Sequence, residues 1–240
     1  MTTAPLARVQ VTHGGSITHK PVGVEYRLKI LGRMHELRGC RLLEIGAADG
    51  EYAAVLADAF DQVVAIDLVP AQLPAATKRG VPTAQMSASR LGFPRETFDV
   101  VLAIEVLEHV ESVADVAAET HRVLRPGGVL CVTSPNRWFP LEMHTVRLFG
   151  RRFLGRYLPF LPYLPWVHRR VSDARNFKRS ELRSVLGPIG FEEVAVDYVM
   201  PPFDGWKFGR RYLRPVVQRM EKSPARVVAG VSVAAVYRRL

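Results

Sequence analysis

Small residues at the end of an apolar segment are the clearest chemical signal in the sequence. Residues 42–50 read Leu-Leu-Glu-Ile-Gly-Ala-Ala-Asp-Gly, so positions 46, 47, 48 and 50 carry no side chain larger than a methyl group. Such residues let the backbone of a turn approach a ligand closely. Asp67 ends a second apolar segment 21 residues after Gly46, and a carboxylate at that place can accept hydrogen bonds from both hydroxyls of a ribose. The two segments together predict a turn that binds a nucleoside.

The spacing of the small residues differs from two common nucleotide-binding motifs. Gly46-x-Ala48-x-Gly50, preceded by Glu44, does not match the Gly-x-Gly-x-x-Gly turn of dinucleotide-binding folds. The sequence also lacks Gly-x-x-x-x-Gly-Lys-Ser/Thr, the phosphate-binding loop. A dinucleotide oxidoreductase and a phosphate-loop enzyme are therefore disfavoured.

A group of acidic and histidine side chains follows the fourth apolar segment. Glu105, Glu108 and His109 occupy positions i, i+3 and i+4, so they would share one face of a helix that began at Glu105. His109 could then accept a proton from a bound hydroxyl group, or the three could bind a divalent metal ion. His144 is a second candidate base, and His144 or His168 could complete a metal site. A third interpretation needs neither role, because the helix dipole alone favours carboxylates in a first turn. We expect no metal ion and keep the trio as the alternative ligand set.

Apolar segments and helical patterns alternate through the first part of the chain. Strands are predicted over 41–46, 62–67, 81–86, 98–104 and 129–134, and helices over 24–37, 52–60, 71–79 and 113–124. Farther along we predict a helix over 179–186, strands over 191–199 and 231–238, and a partly helical basic segment over 201–229. Near-continuous apolar strands separated by helices are typical of a parallel sheet covered on both faces. In such sheets ligands bind at the carboxyl ends of the strands.

Four ordered segments carry a resemblance to a known family. After the turn and Asp67 come Phe-Asp-Val-Val-Leu-Ala-Ile-Glu-Val-Leu-Glu-His at 98–109 and Val-Leu-Arg-Pro-Gly-Gly-Val-Leu at 123–130. With them the sequence resembles the class I S-adenosylmethionine-dependent methyltransferases of the methyltransferase-type-11 group, which includes ubiquinone-biosynthesis O-methyltransferases. The resemblance covers 41–136 well and 176–199 more loosely. It implies a Rossmann-like α/β fold: a seven-stranded, mostly parallel sheet with helices on both faces and an antiparallel last strand. It also implies S-adenosyl-L-methionine as cofactor and S-adenosyl-L-homocysteine as product.

The resemblance implies a cofactor contact for each matching position. These are Glu44, Gly46, Ala47, Ala48 and Gly50 for the methionine part, Asp67 for the ribose, Leu68, Ser87 and Ala88 for the adenine, and Ile104 and Glu105 for the opposite side of the site. Two positions depart from the family pattern. Ala48 replaces the usual middle glycine, where a methyl group weakens binding at most. Ser87 stands where many relatives have an acid, although a hydroxyl group can still accept a hydrogen bond. Similar Glu-x-x-Glu-His segments bind metal in small-RNA 3′-end methyltransferases.

The region after the fifth strand is the predicted acceptor site. We predict a single domain with an N-terminal arm and helix (1–38), a cofactor-binding core (39–136), an insertion over the acceptor site (137–175), and a C-terminal helix and strands (176–240). The insertion is rich in proline and carries Trp138, Phe139, Phe153, Tyr157, Phe160, Tyr163 and Trp166. Pockets for organic ligands are mostly apolar. We therefore predict a small, fairly apolar or amphipathic acceptor that is methylated on oxygen. The alternative is a locally packed lid or a dimer contact.

The positive charge of the chain is concentrated in its C-terminal part. Residues 141–240 hold 19 Lys and Arg against 8 Asp and Glu, within a net charge of +10 for the whole chain. The excess is either an ordinary solvated surface or a docking surface for an anionic membrane, for a membrane-lipid or quinone acceptor, or for RNA. No RNA-binding module is recognisable, so nucleic acid is the weaker option. A non-catalytic binding protein on the same fold is a further alternative.

Cysteine content and apolar segments indicate the compartment. Cys40 and Cys131 lie in or beside apolar segments and are predicted to be buried thiols in a reducing environment. The first residues do not resemble a secretory signal. The apolar tract 153–167 is interrupted by Arg156 and three prolines, so it does not provide the roughly 20 apolar residues that span a bilayer. We expect a cytoplasmic protein.

Overall fold

A computed structural model of the chain describes residues 21–71, 73–155, 158–201 and 214–240. The predicted N-terminal arm (1–20), Tyr157 and much of the predicted basic segment (202–213) lie outside these residues. None of the helices in the described ranges has the length and apolar character needed to cross a membrane.

The central feature is a seven-stranded sheet. Its strands are β1 (Gly39–Ile45), β2 (Phe60–Asp67), β3 (Thr83–Gln85), β4 (Phe98–Ile104), β5 (Leu124–Pro135), β8 (Phe191–Val199) and β9 (Ser232–Arg239), and a separate hairpin contains β6 (Thr145–Leu148) and β7 (Arg151–Leu154). The order in the sheet is β3-β2-β1-β4-β5-β9-β8. The first five strands pair in parallel, whereas β9 is antiparallel to both β5 and β8. The predicted sheet with an antiparallel last strand is confirmed.

Helices cover both faces of the sheet. They are α1 (Pro21–Met34), α2 (Glu51–Leu56), α3 (Leu73–Lys78), α4 (Val113–Val123), α5 (Pro165–Val171), α6 (Arg179–Leu186), α7 (Arg214–Glu221) and α8 (Arg226–Ala229), with 3₁₀ turns at Ala57–Ala59, Leu161–Tyr163 and Gly187–Ile189. Successive side chains of a strand point to opposite faces. In β1, Leu43 therefore joins a cluster with residues of α4 and α6, while Leu42 joins one with residues of α1 and α2. Both faces are buried, which explains why the strands are apolar at nearly every position.

One predicted helix and the predicted burial of one cysteine differ from the structure in this part of the fold. The helix expected over 52–60 ends at Leu56, because a 3₁₀ turn follows and Phe60 already pairs with Gly39 in the sheet. Cys131 is buried as expected, but the prediction of a buried Cys40 is wrong. Cys40 lies in the first part of β1, whose first residues extend beyond the packed core, and it is exposed.

The insertion between β5 and α6 folds into compact local structure. It contains the β6–β7 hairpin, the 3₁₀ turn at Leu161–Tyr163 and α5. Isolated bridges join Leu141 to Pro159 and Val146 to Ser172. A further bridge from Asn136 to Phe177 closes the insertion where β5 ends. The insertion therefore rises from the carboxyl end of β5, the edge of the sheet where ligands bind in this fold class.

Candidate active site

The turn after β1 is held in a conformation that requires small residues. Gly46, Ala48 and Gly50 all have positive φ, at 69°, 49° and 73°. A Cβ atom on Gly46 would lie 2.5 Å from Cγ2 of Val106, and one on Gly50 would lie 2.5 Å from Cβ of Ala76. Glycine is therefore required at both places by space as well as by backbone conformation.

Asp67 ties this turn to the end of β2. Its Oδ2 accepts a hydrogen bond from the amide of Ala48 at 2.9 Å, and its Oδ1 accepts one from the amide of Val69 at 2.8 Å. The carboxylate is buried at 7% exposure. Each carboxylate oxygen can accept more than one hydrogen bond. The group is therefore fixed in place with acceptor capacity left for two ribose hydroxyls.

The side chain of Glu44 stabilises the helix start that follows the same turn. Its Oε2 accepts a hydrogen bond from the amide of Ala53 at 2.8 Å, in the first turn of α2. Burial raises the pKa of Glu44 to about 8, and the nearby charges of Asp49 and Asp67 act in the same direction. The side chain thus joins β1 to α2.

The remaining predicted cofactor residues lie along the same sheet edge. Ile45 is in register with Ala103 of β4, so Ile104 and the turn after β1 end side by side. The amide of Met86 donates to the carbonyl of Asp67 at 3.0 Å, which places Ser87 next to the end of β2. The hydroxyl of Ser87 lies 2.9 Å from that of Ser89. Leu68 is half exposed, and Ala88 packs against the core.

The segment after β4 is a turn and not the expected start of a helix. Glu105 has a φ of 55°, and α4 begins only at Val113. The hydroxyl of Ser112 accepts a hydrogen bond from the amide of Asp115, which is the usual cap at a helix start. Glu105, Glu108 and His109 therefore do not share one face of a helix, the arrangement that their spacing allowed. The Glu105 carboxylate instead accepts a hydrogen bond from the hydroxyl of Thr133 at 2.9 Å.

Glu108, His109 and His144 come together at this edge. One potential ligand atom from each lies within 4.8 Å of the others. Neither carboxylate oxygen of Glu108 has a hydrogen-bond partner in the described structure, although the residue is buried. Burial and the charge of Glu105 raise the pKa of Glu108. The structure thus groups two members of the predicted trio with His144, and Glu105 lies beside them without joining the cluster.

Glu142 is a functional candidate that the sequence analysis missed. It is fully buried, its Oε1 lies 3.0 Å from Nδ1 of His144, and its Oε2 contacts Nε2 of His168 and lies 3.1 Å from Nδ2 of Asn176. Burial would raise the pKa of Glu142, but the hydrogen bonds from the two histidines outweigh it and lower the pKa to about 2. An ionised carboxylate only accepts, so Nδ1 of His144 donates to it. The Glu-x-His spacing was the sole hint of this pair in the sequence.

The Glu142 carboxylate changes the acid–base properties of His144. Burial lowers its pKa, but the hydrogen bond and the charge of Glu142 more than compensate, so that the pKa of His144 lies above its ordinary value. With Nδ1 protonated, the neutral ring presents Nε2 as its basic nitrogen. His168, the other predicted histidine, lies on the opposite side of Glu142 from His144.

Arg27 is a second residue that sequence reasoning missed. It belongs to α1 and is 7% exposed. Its Nη2 lies 3.9 Å from Oε1 of Glu105, and its Nε has no hydrogen-bond partner within the described chain. Nothing in the sequence distinguishes it from an ordinary surface arginine of an amphipathic helix. The structure places a buried cation with an unused donor at the edge of the site.

Comparisons with known proteins agree with this geometry. A family model described as a methyltransferase domain matches residues 43–132. A ubiquinone biosynthesis O-methyltransferase of Azorhizobium caulinodans is 31% identical over 185 residues, which cover 72% of this chain and 68% of that protein. The chain belongs to the S-adenosylmethionine-dependent methyltransferases.

Further relatives of the methyltransferase agree in family or in fold. A probable S-adenosylmethionine-dependent methyltransferase of Mycolicibacterium smegmatis is 34% identical over 66% of this chain and 54% of its own length. The crystal structure of an S-adenosylmethionine-dependent methyltransferase from Mesorhizobium loti matches with a TM-score of 0.64 and 20% identity over 90% of this chain and all of that one. At that identity the likeness concerns the fold alone. The predicted cofactor and enzyme class are confirmed.

Most of the predicted aromatic acceptor residues are exposed in this methyltransferase. Trp138, Phe153, Phe160, Tyr163 and Trp166 all present a large part of their surface to solvent. Some of them pack on one another, since the Tyr163 hydroxyl donates to the carbonyl of Trp138 at 2.7 Å. The prediction that they line the acceptor pocket stays a prediction. A cavity of about 460 Å³ lies nearby, and His168 and Asn176 form part of its wall.

Proposed function

We propose that the enzyme methylates a hydroxyl group of a small, fairly apolar or amphipathic acceptor and that His144 is the general base. The hydrogen bond between the buried carboxylate of Glu142 and Nδ1 of His144 carries this proposal. It fixes the ring, holds the proton on Nδ1 and stabilises the imidazolium that forms when Nε2 takes the acceptor proton. The name of the Azorhizobium caulinodans relative, an O-methyltransferase, supports oxygen as the acceptor atom.

The cofactor would be held by the residues that meet at the sheet edge. Asp67 would accept the ribose hydroxyls, and the left-handed turn from Gly46 to Gly50 would pass close to the methionine part. The unused donor of Arg27 suits the methionine carboxylate, because a buried guanidinium binds carboxylates well. When bound, S-adenosylmethionine supplies an electrophilic methyl group on a sulfonium, which carries its own leaving group. The protein then has to align the acceptor oxygen and remove its proton.

A second mechanism uses the same histidine in another way. Glu108, His109 and His144 offer one carboxylate and two imidazoles within 4.8 Å, a ligand set that suits a divalent transition metal. In that case Glu142 would orient His144 as a metal ligand, which is a common arrangement around bound metals. A metal would lower the pKa of an acceptor hydroxyl directly. The unpaired oxygens of Glu108 are the observation that favours this alternative.

The oxygen assignment is tested with two acceptors of similar size, 4-butylcatechol and 4-butylaniline. We expect methylation of the catechol, measured as S-adenosylhomocysteine released. Turnover of the aniline alone, or of neither compound, contradicts the assignment. A parallel assay with EDTA separates the two mechanisms: unchanged turnover supports His144 as the base, and loss of turnover that Zn²⁺ or Mg²⁺ restores supports the metal site.

Substitutions test His144 within the same assay. His144→Gln should lower kcat by about 10²- to 10⁴-fold, the usual contribution of a general base. Its affinity for S-adenosylhomocysteine, measured by titration calorimetry, should remain close to that of the wild type. His35→Gln is the control, since His35 lies just beyond α1 and away from the cluster. A His144→Gln enzyme with wild-type kcat refutes the proposed base.

A further inference from the structure

The tip of the β6–β7 hairpin carries an aromatic side chain that the fold does not use. Phe149 and Gly150 form the turn, with φ values of 50° and 74°. Two-residue hairpin turns with both φ values positive favour Asn-Gly, and a bulky residue is disfavoured at the first place. Phe149 is also fully exposed. Neither the backbone conformation nor packing within the described chain accounts for phenylalanine at this position.

An apolar groove adjoins the hairpin. Its lining includes Leu148, which precedes Phe149, together with Phe160, Leu164 and Val167. The groove has a volume of about 340 Å³, and all the described residues that line it are apolar. Phe160 and Leu164 are 60% and 48% exposed. The hairpin tip and the groove therefore form one apolar surface, which we call the hairpin surface. A contiguous exposed apolar patch of this kind marks an interaction site.

Arginines surround the hairpin surface. Residues 140–173 contain six arginines and two acidic residues; Glu142 is buried against two histidines, and Asp173 pairs with Arg147 and Arg152. Arg151 pairs with Leu148 across the hairpin and makes no ion pair within the described chain. Arg169 and Arg170 are exposed in the last turn of α5. The apolar centre therefore has a positively charged rim.

We infer that the hairpin surface docks on an anionic lipid bilayer, with Phe149 inserted at the interface and the arginines against lipid phosphates. Aromatic and apolar side chains flanked by cations are the pattern that binds such interfaces. A second copy of the chain is a poorer occupant. A twofold interface places the same patch on both sides, so it would bring one arginine rim against another.

Docking would place the site next to the bilayer. His144 immediately precedes β6, so the candidate base and the hairpin surface belong to one continuous segment. This consequence rests on the proposed function, because it makes a membrane-embedded amphipathic molecule the natural acceptor. Lipid binding itself requires neither cofactor nor acceptor. It can therefore be measured, and can fail, independently of methyl transfer.

Vesicle sedimentation of the full chain tests the inference. We expect binding to vesicles of phosphatidylcholine with phosphatidylglycerol, weak binding to phosphatidylcholine alone, and loss of binding in high salt. Phe149→Asn should weaken the affinity about tenfold, since the ring no longer leaves water. Its melting temperature should not fall, because asparagine suits this turn better than phenylalanine. Val55→Thr removes another exposed apolar group, on α2, and should bind as the wild type does.

A matched charge pair completes the design. Arg151→Glu and Arg38→Glu change the net charge equally, and Arg38 is an exposed residue before β1, away from the insertion. We expect Arg151→Glu to lower vesicle affinity by at least about fivefold and Arg38→Glu to leave it nearly unchanged. Equal losses in the two variants, or full affinity in Phe149→Asn, overturn the inference. The inference is also overturned if light scattering shows that the wild type is a dimer and that Phe149→Asn is a monomer. The hairpin surface would then be covered by a second copy of the chain.

Discussion

Two neighbouring alanines in the turn after β1 should respond in different ways to the same substitution. Ala47 and Ala48 are both buried, but only Ala48 has a positive φ, at 49°. For an L-residue the left-handed conformation costs about 1–2 kcal/mol, which glycine does not pay. We predict that Ala47→Gly destabilises the protein, whereas Ala48→Gly is close to neutral.

The magnitudes follow from three contributions. Each substitution removes one buried methyl group, worth about 0.8 kcal/mol. Each also gives the unfolded chain more conformational freedom, worth about 0.4–1 kcal/mol. Ala47→Gly should therefore lower the free energy of unfolding by about 1–2 kcal/mol. At Ala48 the relieved strain offsets the same losses, so the change should stay within about 0.8 kcal/mol of zero.

Urea denaturation of the unliganded protein measures both values. The slope m should be the same in the wild type and both variants, because neither change alters the surface exposed on unfolding. In melting temperature, Ala47→Gly should lose roughly 2–6 °C. Affinity for S-adenosylhomocysteine should not fall in Ala48→Gly, since the amide that donates to Asp67 remains. The reasoning is refuted if Ala48→Gly costs as much stability as Ala47→Gly.

Two further substitutions probe the same turn. Gly46→Ala should lower the free energy of unfolding by about 2–4 kcal/mol, since its Cβ would lie 2.5 Å from Cγ2 of Val106 and φ is 69°. Adding Val106→Ala should recover the part of this loss that is due to the clash. A double variant no more stable in denaturant than Gly46→Ala contradicts this contact. Glu44 has a pKa of about 8 when folded, against an ordinary 4.5, so between these values the folded state binds the extra proton and stability falls as pH rises. Glu44→Gln keeps an acceptor for the Ala53 amide and should gain stability relative to the wild type as pH rises from about 5 to 8. Parallel curves of unfolding free energy against pH for the two proteins contradict a raised pKa of Glu44.

Local patterns in the sequence were sufficient for most of the fold. The predicted helix over 179–186 and strand over 191–199 match α6 and β8, because hydrophobic periodicity and stop signals act over a few residues. The turn after β1 and Asp67 were also predictable. Parallel strands bring their carboxyl ends to one edge, so the two segments had to meet once the fold class was known.

The conformation of the segment from Glu105 to His109 could not be predicted from its local sequence pattern. A spacing of i, i+3 and i+4 fits a helix, but the same residues fit a turn when the cap lies farther along, at Ser112. In the structure these residues form a turn. The carboxylate of Glu105 therefore lies near Thr133 and Arg27, while Glu108 and His109 lie near His144.

The sequence by itself determined the alternation of strands and helices and the turn after β1, since these depend on short-range periodicity and on the geometry common to parallel sheets. Only the tertiary structure decided which distant polar side chains meet. Glu142 contacts Asn176 across 34 residues of sequence, and Arg27 reaches Glu105 from a helix on the face of the sheet. Such pairs have no periodic signature in the chain, because they arise from how the insertion and α1 pack against the strand ends.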